Sequence, residues 1–178
     1  MKTLISFLAC ALACSGAEAN WMQILQERIP QYGHRNWIVV ADSAYPAQSQ
    51  DGIETLVAKA DQLQVLRIVL AALGESKHVA PIIYTDQELK YLDDKDAPGI
   101  GNYREQLETM LAGRTPNILP HEKIIAKLDQ VSQIFRVLII KTNMTLPYTS
   151  VFLQLDCAYW GPDAEKKLRE KMSAEGVR

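Results

Sequence analysis

Cysteine is scarce in this chain: three occur in 178 residues, and two of them, Cys10 and Cys14, fall within an apolar run near the N-terminus. Lys2 gives that segment a positive start, residues 4–14 form its short apolar centre, and Ala17-Glu18-Ala19 supplies a small-x-small cleavage pattern. The combination reads as a secretory signal peptide over residues 1–19, cut between Ala19 and Asn20, so the mature protein is expected to be exported, periplasmic or secreted. Neither Cys10 nor Cys14 follows the leucine of a lipid-attachment site, which favours simple cleavage. Only Cys157 would then remain, and an internal disulfide is excluded in that oxidising compartment. Stability has to come from a packed core.

Long apolar runs and an excess of one charge are also missing. The leader falls short of the roughly 20 residues that a spanning helix needs, and no later stretch reaches that length, so no membrane span is expected. The formal net charge is -2 with the signs intermixed, which removes the basic footprint of a nucleic-acid binder. Small molecules and protein partners are left.

Familiar catalytic and metal motifs are absent too. His121-Glu122-Lys123-Ile124-Ile125 carries isoleucine where a zinc protease needs its second histidine. The acidic run that starts at Asp93 has Pro98 and Arg104 where a calcium loop requires glycine and glutamate. There is no nucleophile elbow and no phosphate-binding lysine loop. Cys157 sits in an apolar run and reads as a small core residue.

What is present is an ordinary globular interior, 48% hydrophobic, enough for a single domain over residues 20–158. A helix over 21–32 is closed by Pro30 and Gly33. An apolar strand over 36–41 follows, and Asp42 stands at its end. Residues 43–52 read as a loop. Leucines at helical spacing predict a helix over 54–73, with Gly74 as its stop. A strand over 79–84, a helical turn over 86–92 and a polar loop over 93–99 come next. Further helices are expected over 102–113 and 120–131, with an extended piece at 117–119 between them. Strands over 134–141 and 150–158 complete the domain, and residues 159–178 form a charged helical tail. This alternation predicts an α/β fold, a single open sheet with helices packed on it.

One pair of residues combines position with chemistry. His34 precedes the buried strand and Asp42 ends it, where open α/β sheets bind their ligands. Both also have structural uses, a histidine at a helix end and an aspartate in a turn.

The phrase Gly33-His34-Arg35-Asn36-Trp37-Ile38-Val39-Val40-Ala41-Asp42-Ser43-Ala44-Tyr45-Pro46-Ala47-Gln48-Ser49 resembles the hallmark of the ribose pyranase and fucose mutarotase (RbsD/FucU-like) family. That family has a Gly-His pair before an apolar strand, an aspartate after it, and then an aromatic or leucine with proline. Pro147-Tyr148-Thr149-Ser150-Val151-Phe152-Leu153 is similar to its C-terminal tyrosine and strand. The helix over 58–73, the Ala80-Pro81 strand entry and the His121-Glu122 helix keep the family's order, so the resemblance spans residues 21–158.

The resemblance implies a monosaccharide mutarotase or pyranase that works without metal or cofactor and assembles as a ring-like homo-oligomer with pockets between subunits. Its chemistry needs one group to protonate the ring oxygen and another to take the anomeric proton. By motif position His34 is the implied proton donor, a role that suits an imidazole near neutrality. Asp42, His121, Tyr148, Thr149 and Ser150 are the implied sugar-binding residues. Two departures stand out: Asn143-Met144 replaces the family's Gly-Glu pair, and Ser150 replaces an asparagine. They open two other readings, a non-catalytic exported sugar-binding or assembly protein that keeps the fold, and an isomerase of a sugar acid.

Overall fold

The computed structural model describes residues 16–176. The apolar centre of the expected leader therefore lies outside the described residues, and the expected cut after Ala19 falls within the first helix, α1 (Gly16–Arg28). A 3-10 turn at Ile29–Gln31 ends that helix. The strands are β1 (Trp37–Ala41), β2 (Ile53–Val57), β3 (Val79–Asp86), β4 (Asn117–Leu119), β5 (Val137–Lys141) and β6 (Val151–Cys157). The remaining helices are α2 (Gln62–Glu75), α3 (Ile100–Met110), α4 (His121–Ser132) and α5 (Pro162–Ala174).

The strands form one six-stranded sheet in the order β2-β5-β1-β6-β3-β4. Parallel pairing joins β1 to β5, β2 to β5 and β3 to β4, whereas β6 runs antiparallel between β1 and β3. The single α/β domain expected from the alternation of elements is thus present, with a mixed sheet. Every residue of β1 is buried, because helices cover both faces of the central strands. On one face Ile38, Val40, Leu138, Ile140, Leu153 and Leu155 pack with Trp21 and Leu25 of α1 and the leucines of α2. On the other, Trp37, Val39, Ile139 and Phe152 meet Ile124 and Leu128 of α4. Successive strand residues point to opposite faces, so each apolar strand feeds both cores.

The predicted helix over 54–73 is corrected by the structure. Its first part is β2, which pairs parallel with β5 at the sheet edge. Ile53, Thr55 and Val57 are β-branched and favour that pleated edge, an effect that outweighs the helical spacing of Leu56 with the leucines beyond. Lys59 then takes a left-handed conformation at φ 52°, which ends the strand. Asp61 opens α2, its carboxylate accepting the Gln64 N–H at 2.9 Å. A two-pronged contact of Arg28 with Glu54, at 2.7 and 3.0 Å, ties α1 to this edge.

Other boundaries move as well, α3 among them, which runs over Ile100–Met110 and not 102–113. β3 runs past its expected end at Tyr84 to Asp86, and β5 begins at Val137 because Ile134 is exposed. α5 buries none of its side chains in the domain.

Gly52 shows why the β2 edge is tightly specified: a Cβ there would overlap the Ser132 carbonyl, a backbone atom that cannot swing aside. Gly52→Ala is expected to lower the unfolding free energy by about 1–3 kcal/mol in urea titrations. An unchanged midpoint and slope would show that the end of α4 shifts freely away from β2.

Candidate functional site

Because β6 is antiparallel, its start lies beside the ends of β1 and β3. Val151 pairs with Val40 on one side and with Thr85 on the other. One residue further, Ser150 comes between the segments carrying Asp42 and Asp86. The Asp42 N–H donates to Ser150 Oγ at 3.2 Å, and the Ser150 hydroxyl donates to Asp42 Oδ2 at 2.8 Å. Asp42 Oδ1 accepts the Ala44 N–H at 2.9 Å, an aspartate turn that fixes the carboxylate over the strand end.

Asp86 ends β3 with its side chain fully buried, and its Oδ2 lies 3.1 Å from His121 Nδ1 at the first turn of α4. Its Oδ1 has no hydrogen-bond partner among the described residues. Pro120 stands just before α4 and not inside its first turn. Glu88 caps the helix instead, both carboxylate oxygens accepting the His121 N–H at 3.1 and 3.0 Å. Tyr148 packs edge-on against His121 with ring centroids 5.6 Å apart. Its backbone is left-handed at φ 57°, a conformation that costs a non-glycine residue about 1–3 kcal/mol and persists only when its surroundings hold it.

Those surroundings are a buried polar knot. The Thr149 carbonyl accepts from the Tyr103 hydroxyl at 2.7 Å and from the Gln62 amide, while Thr142 donates to Gln62 Oε1 at 3.1 Å. The Thr149 hydroxyl turns back to the Leu146 carbonyl at 2.8 Å. Thr149 is fully buried and spends its polar groups beneath the site, holding Tyr148 and Ser150 in place. Met144 packs against the same core, and its carbonyl accepts the Ser43 N–H at 2.8 Å.

Burial pushes the Asp86 carboxyl up to about 6; the nearby His121 opposes that rise, and Glu88 and Asp42 add to it. Desolvation wins because the carboxylate has left water while His121 remains partly exposed. A carboxyl poised there can hold or release a proton near neutrality. A cleft of about 310 Å³ along α3 also borders Asp86 but is lined by none of Asp42, His121, Tyr148 or Ser150, so the cleft meets the proton-handling cluster at Asp86 alone. The described residues contain no group of three or more His, Cys, Asp or Glu placed to hold a metal ion.

Of the residues proposed from sequence, Asp42, His121, Tyr148 and Ser150 come together, with Thr149 below them. His34 does not join them within one chain. It is exposed beyond the opposite end of β1, beside Asp156 and Cys157 at the close of β6. The left-handed residue of the turn there is Arg35, at φ 74°, while Gly33 closes it through hydrogen bonds to Asn36. His78 is structural, its ring bonded to Ser76 at 2.9 Å and to the Ile29 and Tyr32 carbonyls at 3.1 and 3.0 Å. Asp86 and Glu88 escaped the sequence reading, which placed both in a helical turn. The available signal was an aspartate closing an apolar strand, the same signal that marked Asp42.

A mixed α/β sheet with two aspartates and a histidine at its strand ends has the arrangement at which open α/β sheets bind small ligands. The chain belongs to the RbsD / FucU transport protein family, whose model matches residues 22–157. Comparison with curated protein sequences finds no match. Among solved structures, the chain is similar to Bacillus subtilis RbsD complexed with D-ribose, with a TM-score of 0.53 and 18% identity over 88% of this chain and 98% of that one. It is also similar to the fucose mutarotase in complex with L-fucose from Streptococcus pneumoniae, at TM-score 0.52 and 18% identity over 80% and 98% of the two chains. FucU from Bifidobacterium longum aligns at TM-score 0.50 and 14% identity over 79% of this chain and 94% of that one. At these identities the likeness shows the fold.

The raised Asp86 value gives a pH signature. The folded state holds this proton more tightly than the unfolded chain, so between the ordinary value of 3.8 and about 6 stability falls as pH rises. Denaturant unfolding across pH should show wild type losing on the order of 2 kcal/mol relative to Asp86→Asn over that window, with no further divergence above it. Parallel curves for the two proteins would contradict the assignment.

Proposed function

We propose that this chain is a monosaccharide mutarotase or pyranase, which interconverts the ring forms or anomers of a free sugar by acid/base ring opening. The observation that carries the reading is the convergence of the His121–Asp86 pair with Asp42, Ser150 and Tyr148 at the strand ends. Family membership and the structural likeness to a fucose mutarotase and to a ribose-bound RbsD support it. D-ribose and L-fucose are therefore the first sugars to test.

Ring opening needs a proton delivered to the ring oxygen while another leaves the anomeric hydroxyl. Asp42, with each oxygen already accepting one hydrogen bond, has lone pairs left for sugar hydroxyls. Asp86 and His121 share a proton-handling contact at 3.1 Å, which suits transfer to or from the anomeric oxygen. Tyr148, 38% exposed, offers a ring face and a hydroxyl to the same sugar.

His34 is the implied acid, yet it lies at the other end of the sheet. A homo-oligomer resolves this: His34 of the partner subunit reaches the strand-end cluster and completes the site. The alternative of sugar binding without catalysis draws on Met144, whose thioether cannot replace a carboxylate toward a sugar hydroxyl. Export through the leader over residues 1–19 belongs to this proposal, and N-terminal sequencing of the exported protein should begin at Asn20.

The decisive experiment is anomer-exchange NMR on the mature protein. Wild type should accelerate exchange of at least one sugar, and His34→Ala and Asp86→Asn should each lose at least about 100-fold. Refolding the two variants together should restore about a quarter of the sites, since a hybrid assembly pairs some intact clusters with some intact His34 residues. No acceleration for any sugar by folded wild type would leave the binding reading in its place. No recovery on mixing would overturn the shared site.

A further inference from the structure

His34 borders a groove of about 590 Å³, within the size range of small-molecule sites. Its far wall is built by residues that follow β6. The family match ends at residue 157, whereas Tyr159, Trp160, Glu165 and Arg169 all line this groove.

Trp160 is held in a fixed attitude. Its indole N–H donates to Glu165 Oε2 at 2.7 Å, and the Arg169 Nε–H donates to Glu165 Oε1 at 2.6 Å. The indole and Arg169 hold the Glu165 carboxyl below its ordinary range, so it stays an acceptor across neutral pH. Core packing does not account for this arrangement, because α5 buries no side chain and Trp160 is 44% exposed. With its N–H occupied by Glu165, what the indole has left for a ligand in the groove it lines is apolar ring surface. His34 and Asp156 line the same groove; Asp156 Oδ1 accepts the Cys157 N–H at 2.8 Å, and its other oxygen is left for a ligand hydroxyl. A groove lined by an indole, a carboxylate and an imidazole matches a pyranose or furanose, which has an apolar C–H face and a hydroxyl rim.

We propose that the segment 159–169 is a specificity-determining wall of the sugar site, with Trp160 as the stacking platform and Glu165 as the residue that positions it. The inference rests on the reading that His34 faces the sugar. It assigns part of the selectivity to a segment outside the family's matched range, so this chain selects its sugar on a surface of its own.

The test uses the full mature chain with D-ribose, L-fucose, D-galactose and D-galacturonic acid as probes. Anomer-exchange NMR gives kcat and KM, and tryptophan fluorescence gives Kd. Trp21 and Trp37 are buried, so a sugar-dependent emission shift reports Trp160. Trp160→Ala should raise KM or Kd about 10-fold, equal to ~1.4 kcal/mol, with kcat within about twofold of wild type. Trp160→Phe should recover most of that loss by keeping a ring face, and Glu165→Ala should raise KM while leaving kcat in place. An active wild type whose KM is unmoved by Trp160→Ala overturns this proposal and leaves the mutarotase reading standing. Sugar binding that depends on Trp160 without faster exchange does the reverse. No emission shift and no exchange with any of the four sugars overturns both.

Discussion

β6 runs against its neighbours, and the rest of the molecule depends on that reversal. In a sheet whose other pairings are parallel, an antiparallel strand between β1 and β3 delivers its first residues, and not its last, to their carboxyl ends. The segment holding Tyr148 and Ser150 thereby arrives between Asp42 and Asp86. The pairing is deeply buried, with Val40, Val151, Phe152 and Leu153 all inaccessible. A register slip of one residue would turn each of these side chains to the other face, so the apolar pattern of β6 also fixes where Ser150 and Tyr148 stand.

The two aspartates at that edge occupy different environments. Asp42 is partly open and is held by a serine hydroxyl and a backbone N–H. Asp86 has lost water entirely, is answered on one oxygen by His121, and has its carboxyl lifted to about 6. One carboxylate is thus suited to hold hydroxyls and the other to exchange a proton, although both end apolar strands. Unequal desolvation of similar groups divides their labour.

Much of the fold was legible in local pattern. β1 is a continuous apolar run and β6 opens on one, α4 carries Ile124 and Leu128 at helical spacing, and Asp42 stands where an apolar run stops. β2 was not legible, because Leu56 lies in phase with the leucines of α2 and its pairing with β5 is a contact between distant segments. Asp86 was hidden for a related reason: β3 extends two residues past Tyr84 to pair with β4 and β6, and sequence periodicity carries no record of that pairing. The resemblance brought Asp42, His121, Tyr148 and Ser150 forward together. It could not show that Thr149 lies beneath them, tied to Tyr103 and Gln62.

The separation of His34 from the cluster is the strongest constraint on any functional account, since β1 stands between them. Sugar chemistry centred on the cluster requires the sugar to sit against His121 and Tyr148. The most direct measurement is the NMR shift of the His121 and Tyr148 ring signals as free monosaccharides are added to the mature protein, with His78 as internal reference. The account predicts saturable shifts at His121 and Tyr148 and a still His78 signal. Saturable binding that leaves His121 and Tyr148 unmoved would contradict it.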